Sequence, residues 1–69
     1  MRIVKIRVEQ ASFADTLNAM REWLDRKNCY LAHFRHLSGD DGIIVISAGF
    51  AKADDPRVDE FERQFSGVR

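Results

Sequence analysis

Residues 43–50 read IIVISAGF, eight positions with one polar side chain in a chain of 69 residues. A run this apolar belongs in the middle of a sheet, because an edge position would leave much of it in water. What the rest of the chain can fold into is set by what can flank and cover that strand.

Residues 2–9, RIVKIRVE, alternate cleanly and predict a strand. Val4, Ile6 and Val8 point to one face, and Ile3, Lys5, Arg7 and Glu9 to the other. Ser12 then opens SFAD, a capping-box-like start with Asp15 where Glu or Gln is usual. Phe13, Leu17, Met20 and Leu24 follow at spacings of four, three and four, an apolar stripe that Trp23 widens. Arg26 and Lys27 fall in the last turn, where cations suit the helix dipole, and Asn28 is the predicted stop.

Residues 30–38 predict a second strand, joined to 43–50 by a hairpin around Gly39-Asp40-Asp41-Gly42. The final helix starts at ADDPRVDEF, with Asp54 or Asp55 as cap and Pro56 at the first helical position. Val58, Phe61 and Phe65 form its buried stripe, and Gly67 is placed at its end.

The order is β-α-β-β-α, an α+β class, and residues 1–69 read as one compact domain without repeats or linkers. A right-handed crossover and a central apolar strand favour sheet order 1-3-2, with both helices on one face. This is a ferredoxin-like unit lacking the fourth strand, its sheet antiparallel or mixed. Trp23, Phe34, Phe50, Phe61 and Phe65 are the expected core. Gly49, inside a strand, predicts a bulge or a close backbone approach, with helix packing as the expected cause.

MREWLD (Met20–Asp25), then a strand containing HFRH (His33–His36) and a hairpin into an apolar strand, resembles a group of small uncharacterised proteobacterial β-α-β-β-α proteins. The matching residues are packing residues over most of the chain, so the resemblance implies a fold and no activity.

On the second strand, alternation places Tyr30, Ala32, Phe34 and His36 on one face and Cys29, Leu31, His33, Arg35 and Leu37 on the other. A hairpin closing in even-sum register sets Phe34 beside Ile46 and Ala48, whereas a one-residue slip sets it beside Ser47. The inner set is then Val4, Ile6, Val8, Ala32, Phe34, Ile44, Ile46, Ala48 and Phe50. The outer face carries Ile3, Leu31, Leu37, Ile43 and Val45 among Lys5, Arg7, His33 and Arg35. No element remains to cover it. An uncovered apolar patch marks an interaction surface, and a second copy of the chain is the expected cover. Pairing of sheet edges is a second route to the same homodimer.

Composition removes other classes. Eleven basic and eleven acidic residues cancel, so no overall field draws nucleic acid or an anionic membrane. No apolar run reaches the roughly 18–20 residues needed to span a bilayer. A single cysteine forms no internal disulfide and suits a reducing compartment. The alternating start lacks the continuous apolar stretch of a signal peptide. The expectation is a complete cytoplasmic chain, near the lower size limit for folding without a disulfide, metal or partner.

Cys29, His33 and His36 lie close in sequence and are metal-binding types. On a strand, however, His33 and His36 project from opposite faces, and Cys29 stands about 13 Å from His33. Zinc ligands must converge within about 2.0–2.3 Å of one ion, so no metal or other cofactor is assigned. Cys29 follows a helix C-terminus, whose partial negative charge disfavours a thiolate, and it reads as an inert small residue. Asp40-Asp41 and Asp54-Asp55 read as turn and cap residues, lacking the spacing of a calcium loop. The glycines form no phosphate-binding loop. No catalytic residue is assigned.

The candidate site is therefore the outer face, with Lys5, Arg7, Leu31, His33, Arg35, Leu37, Ile43 and Val45. The leading expectation is a non-enzymatic interaction or regulatory module acting as a homodimer through that face or an edge. Nucleic-acid binding by the basic residues is the weaker alternative, because Tyr30 and Phe34 are assigned inward, away from bases. An enzymatic or ligand site formed across a dimer is the third.

Overall fold

The computed structural model describes residues 1–66, and Gly67, assigned above as a helix end, lies outside them. The elements are β1 (Arg2–Glu9), a short 3-10 turn (Gln10–Ser12), α1 (Phe13–Arg26), β2 (His33–Ser38), β3 (Ile43–Phe50) and α2 (Pro56–Phe65). The sheet order is β1-β3-β2 and both pairings are antiparallel. This is the expected α+β arrangement with the apolar strand in the centre.

The β2–β3 register sets Phe34 opposite Ala48 and His36 opposite Ile46, the even-sum pairing that the inner and outer sets require. Gly39 N–H donates to the Ile43 carbonyl at 2.9 Å, and Ile43 N–H donates to Asp41 Oδ1 at 3.1 Å. Gly42 takes φ +78°, the left-handed residue that closes a short hairpin loop.

Val4, Ile6, Ile44, Ile46, Ala48 and Phe50 from the sheet are buried with Met20 and Trp23 of α1 and Val58 and Phe61 of α2. Both helices thus pack on one face. Phe61 is the hub, with ring centroids 5.6 Å from Trp23, 5.2 Å from Phe50 and 4.9 Å from Phe65 in tilted or edge-on geometry.

Three local expectations need correction. Ser12 makes no side-chain cap bond; it belongs to the 3-10 turn at φ −100° and ψ 3°, outside the extended geometry that a capping box needs. Gly49 is closely approached, as expected, but not by a helix: Ala32 N–H donates to its carbonyl at 2.8 Å beside its ladder partner His33. A Cβ built there would lie 2.8 Å from His33 Cβ, 3.0 Å from Met1 Sδ and 3.1 Å from Ile3 Cδ1. Its neighbours are cross-strand side chains of the outer face, and no helix approaches it that closely.

The largest correction concerns residues 29–34. Asn28, at φ 53°, ends α1 in the left-handed conformation. Its N–H donates to the Asp25 carbonyl at 3.1 Å, and Cys29 N–H donates to the Leu24 carbonyl at 2.9 Å. These are the two bonds of a Schellman motif, whose last residue commonly packs against the helix it leaves. Cys29 accordingly enters the core, and Leu31 packs against it. Tyr30 is turned out, 76% exposed, and strand geometry starts only at His33. Strand parity therefore does not extend back to residues 29–32, where it was expected to put Tyr30 and Ala32 inside and Cys29 and Leu31 outside.

Phe34 does point to the helix side, yet it is 41% exposed, and Ala32 and His36 beside it are exposed too. Val4 and Ile6 of β1 and Ile44, Ile46, Ala48 and Phe50 of β3 are buried and Val8 half-buried, so the helices cover those two strands. Arg2 of β1 donates to Asp59 and Glu62 of α2 at 2.8 and 3.1 Å, holding that helix on the side away from β2. Phe13, at the start of α1, is the ring that reaches toward β2, 4.9 Å from His36.

Candidate interaction surface

The outer face is organised in rows by the register. Ile3, Gly49 and His33 lie across one row, Lys5, Ser47 and Arg35 across the next, and Arg7, Val45 and Leu37 across the third. Glu9 and Ile43 begin a fourth. Strands sit about 4.8 Å apart, so the backbones carrying Lys5 and Arg35 are about 10 Å apart with the short Ser47 between them. A depression of about 260 Å³ around this row is lined by Ile3, Lys5, His33, Arg35, His36, Leu37 and Ser47.

Seven of the eight expected face residues are on this surface. Lys5, Arg7, Arg35 and Leu37 are exposed, Leu37 by 70%, and His33, Ile43 and Val45 are half-buried. Leu31 is not there: the helix-end reversal turns it toward the core. Ile3, 42% exposed, completes the apolar part.

The charges are unevenly shared. Arg2, Lys27 and Arg57 each lie within 4 Å of a carboxylate on or beside α2. Lys5, Arg7 and Arg35 have no such partner among the described residues. Glu9, at the end of the face, is the one acidic side chain among its strand positions. A chain with no net charge thus carries a cationic sheet face and a compensating acidic remainder.

The residues singled out for chemistry are separated. Cys29 is buried at the end of α1, His33 is on the outer face, and His36 is on the helix side against Phe13. Among the described residues no three His, Cys, Asp or Glu side chains come together to hold a metal ion. Asp41 serves the hairpin turn, and Asp55 caps α2.

A second surface was missed by pattern reading. β2 is bare on both faces: Phe34 and His36 on the helix side, Arg35 and Leu37 on the other. Alternation shows which face a residue takes. It does not show how far two helices reach across three strands.

No protein-family model matches the chain, and no curated protein or solved structure gives a match either. Among the described residues no helix is long and apolar enough to cross a membrane.

Proposed function

We propose that this chain is a non-enzymatic protein-interaction module that works as a homodimer, joined through the free edge of β2. The observation that carries this reading is the exposure of an edge strand on both faces, with Phe34 on one side and Leu37 on the other. The Gly39–Ile43 bond sets the odd-numbered residues of β2 as the bonded partners of β3. Phe34, His36 and Ser38 then direct their N–H and C=O groups to the open side, ready for another strand. A two-fold axis normal to the sheet would pair β2 with β2 and bring the two Phe34 rings toward one another over a continuous six-stranded sheet.

Two other modes of self-association are weaker on physical grounds. Stacking the outer faces about a two-fold through their centre opposes Lys5 and Arg35 with the same cations of the second copy. Pairing through β1 would use a strand flanked by Lys5, Arg7 and Glu9, and charged edge residues discourage such pairing. Nucleic-acid binding draws support from the unpaired cations. It lacks base platforms among them, because no Phe, Tyr or Trp occupies an outer-face position of the three strands and Phe34 points to the helix side.

Light scattering tests the reading. A mass near twice 8.0 kDa is expected for the native chain, reverting to one chain in Phe34→Lys. A native monomer at high micromolar concentration would refute it, as would a dimer that Phe34→Lys and Leu37→Lys leave intact.

A further inference from the structure

We infer that the outer sheet face receives an acidic, amphipathic segment of a partner protein, its carboxylates seated over Ser47 between Lys5 and Arg35 and its apolar side chains on Val45 and Leu37. The inference rests on the reading of this chain as an interaction module, but it does not depend on pairing through β2.

Three features support it. The first is charge: Lys5, Arg7 and Arg35 project from one face without a carboxylate partner among the described residues, so an incoming anion displaces no internal ion pair. The second is shape. The depression is lined by Ser47 with Lys5 and Arg35 on the flanking strands, so a hydroxyl and two cationic side chains border one hollow suited to a carboxylate. The third is the row next to it, where Leu37 and the half-buried Val45 offer apolar surface. The two rows are two residues apart along each strand, about 7 Å. An extended segment repeats its same-face side chains at that spacing, and a helix comes close to it over one turn.

A polyphosphate backbone would satisfy the cations and leave Leu37, Val45 and Ile43 against charged oxygens. A second copy would bring like charge to the same face. An acidic segment with interspersed aliphatic residues matches both parts of the surface. Cations around an apolar strip are also the usual rim-and-core pattern of a protein interface.

Fluorescence anisotropy at low salt tests this with three labelled probes: a synthetic amphipathic peptide of leucine and glutamate, the same peptide with lysine for glutamate, and a single-stranded oligonucleotide. The acidic peptide is expected to bind and the lysine peptide not. Arg35→Glu and Lys5→Glu should each weaken acidic-peptide binding by about tenfold or more, as like charges are brought together. Circular dichroism checks folding, and if either reversal unfolds the chain, Arg35→Gln and Lys5→Gln should show a smaller loss. Failure of the acidic peptide to bind overturns the inference, as does binding that these variants leave unchanged. Tighter binding of the oligonucleotide also overturns it and makes the face a nucleic-acid interface. Light scattering on the same samples keeps the two proposals apart. A monomeric Phe34→Lys chain is expected to retain peptide binding, whereas a native chain that binds the peptide as a monomer would sink the dimer and leave this inference standing.

Discussion

The guanidinium of Arg57, in the first turn of α2, donates from Nη1 to the main-chain carbonyl of Lys27, 3.0 Å away and 30 residues earlier in the chain. The same nitrogen lies 3.3 Å from the Asn28 carbonyl, while Nε and Nη2 hold the Asp55 carboxylate at 3.1 and 2.7 Å. One side chain thus serves the negative end of α1 and the capping residue of α2. The planar fork lets it donate in two directions, which a lysine ammonium on a flexible stem does less well. Arg57→Ala should lower the urea midpoint, and Arg57→Lys should recover only part of the loss.

Asp55 caps α2 by accepting Arg57 N–H at 2.9 Å, and the side-chain hydrogen bond from Arg57 is the main cause that holds its carboxyl down to about 2. The ordinary value is 3.8. A carboxyl depressed on folding contributes stability that is present above its unfolded value and fades as pH falls through the folded one. The difference in urea midpoint between the native chain and Asp55→Asn should be full at neutral pH. It should shrink between pH 3.8 and about 2. A difference that stayed constant across this interval would show that the carboxylate charge is not what stabilises the cap.

Asn28 adopts φ 53°, where a Cβ is crowded by the backbone and glycine is at ease. Asn28→Gly should be neutral or stabilising in thermal melts. Asn28→Ala should cost about 1 kcal/mol, since alanine lacks the local hydrogen bonding that makes asparagine tolerable there.

Gly49→Ala should destabilise by about 1–3 kcal/mol, the usual range for forcing atoms into a packed site. The added methyl meets His33 Cβ at 2.8 Å, a near-backbone atom that cannot swing away as a side-chain tip could. Denaturant melts of Gly49→Ala with and without His33→Gly distinguish this cause, because removing the His33 Cβ should recover part of the loss.

Phe61 and Phe34 are both aromatic, but their surroundings differ. Phe61 is fully buried, and Phe61→Ala should cost about 3–5 kcal/mol, enough to unfold much of a domain this small. Phe34→Ala should cost the monomer far less. Its main effect should be on the proposed dimer, as a midpoint that no longer rises with protein concentration.

Much of this architecture is legible residue by residue. Val4 and Ile6 alternate with Ile3, Lys5 and Arg7, and a strand has only two faces, so the sides follow from sequence. Pro56 after Asp55 marks a helix start because neither residue needs a partner from elsewhere in the chain. Asn28 marks a helix end for the same local reason. The stretch from Cys29 to Ala32 could not be read this way. Its alternation resembles a strand, but the Schellman bonds to Leu24 and Asp25 override that pattern and reverse the sides of Cys29, Tyr30 and Leu31.

Local chemistry, then, determined the order of elements, the even-sum register and the cationic character of the outer face, since each depends on periods and caps carried within a few residues. The placement of the helices over β1 and β3, the resulting exposure of β2 and the gathering of Lys5, Arg35 and Ser47 into one row were decided by tertiary structure alone. Each of those needs segments tens of residues apart to meet, and no local period encodes how far two helices extend across a sheet or which strands they leave uncovered.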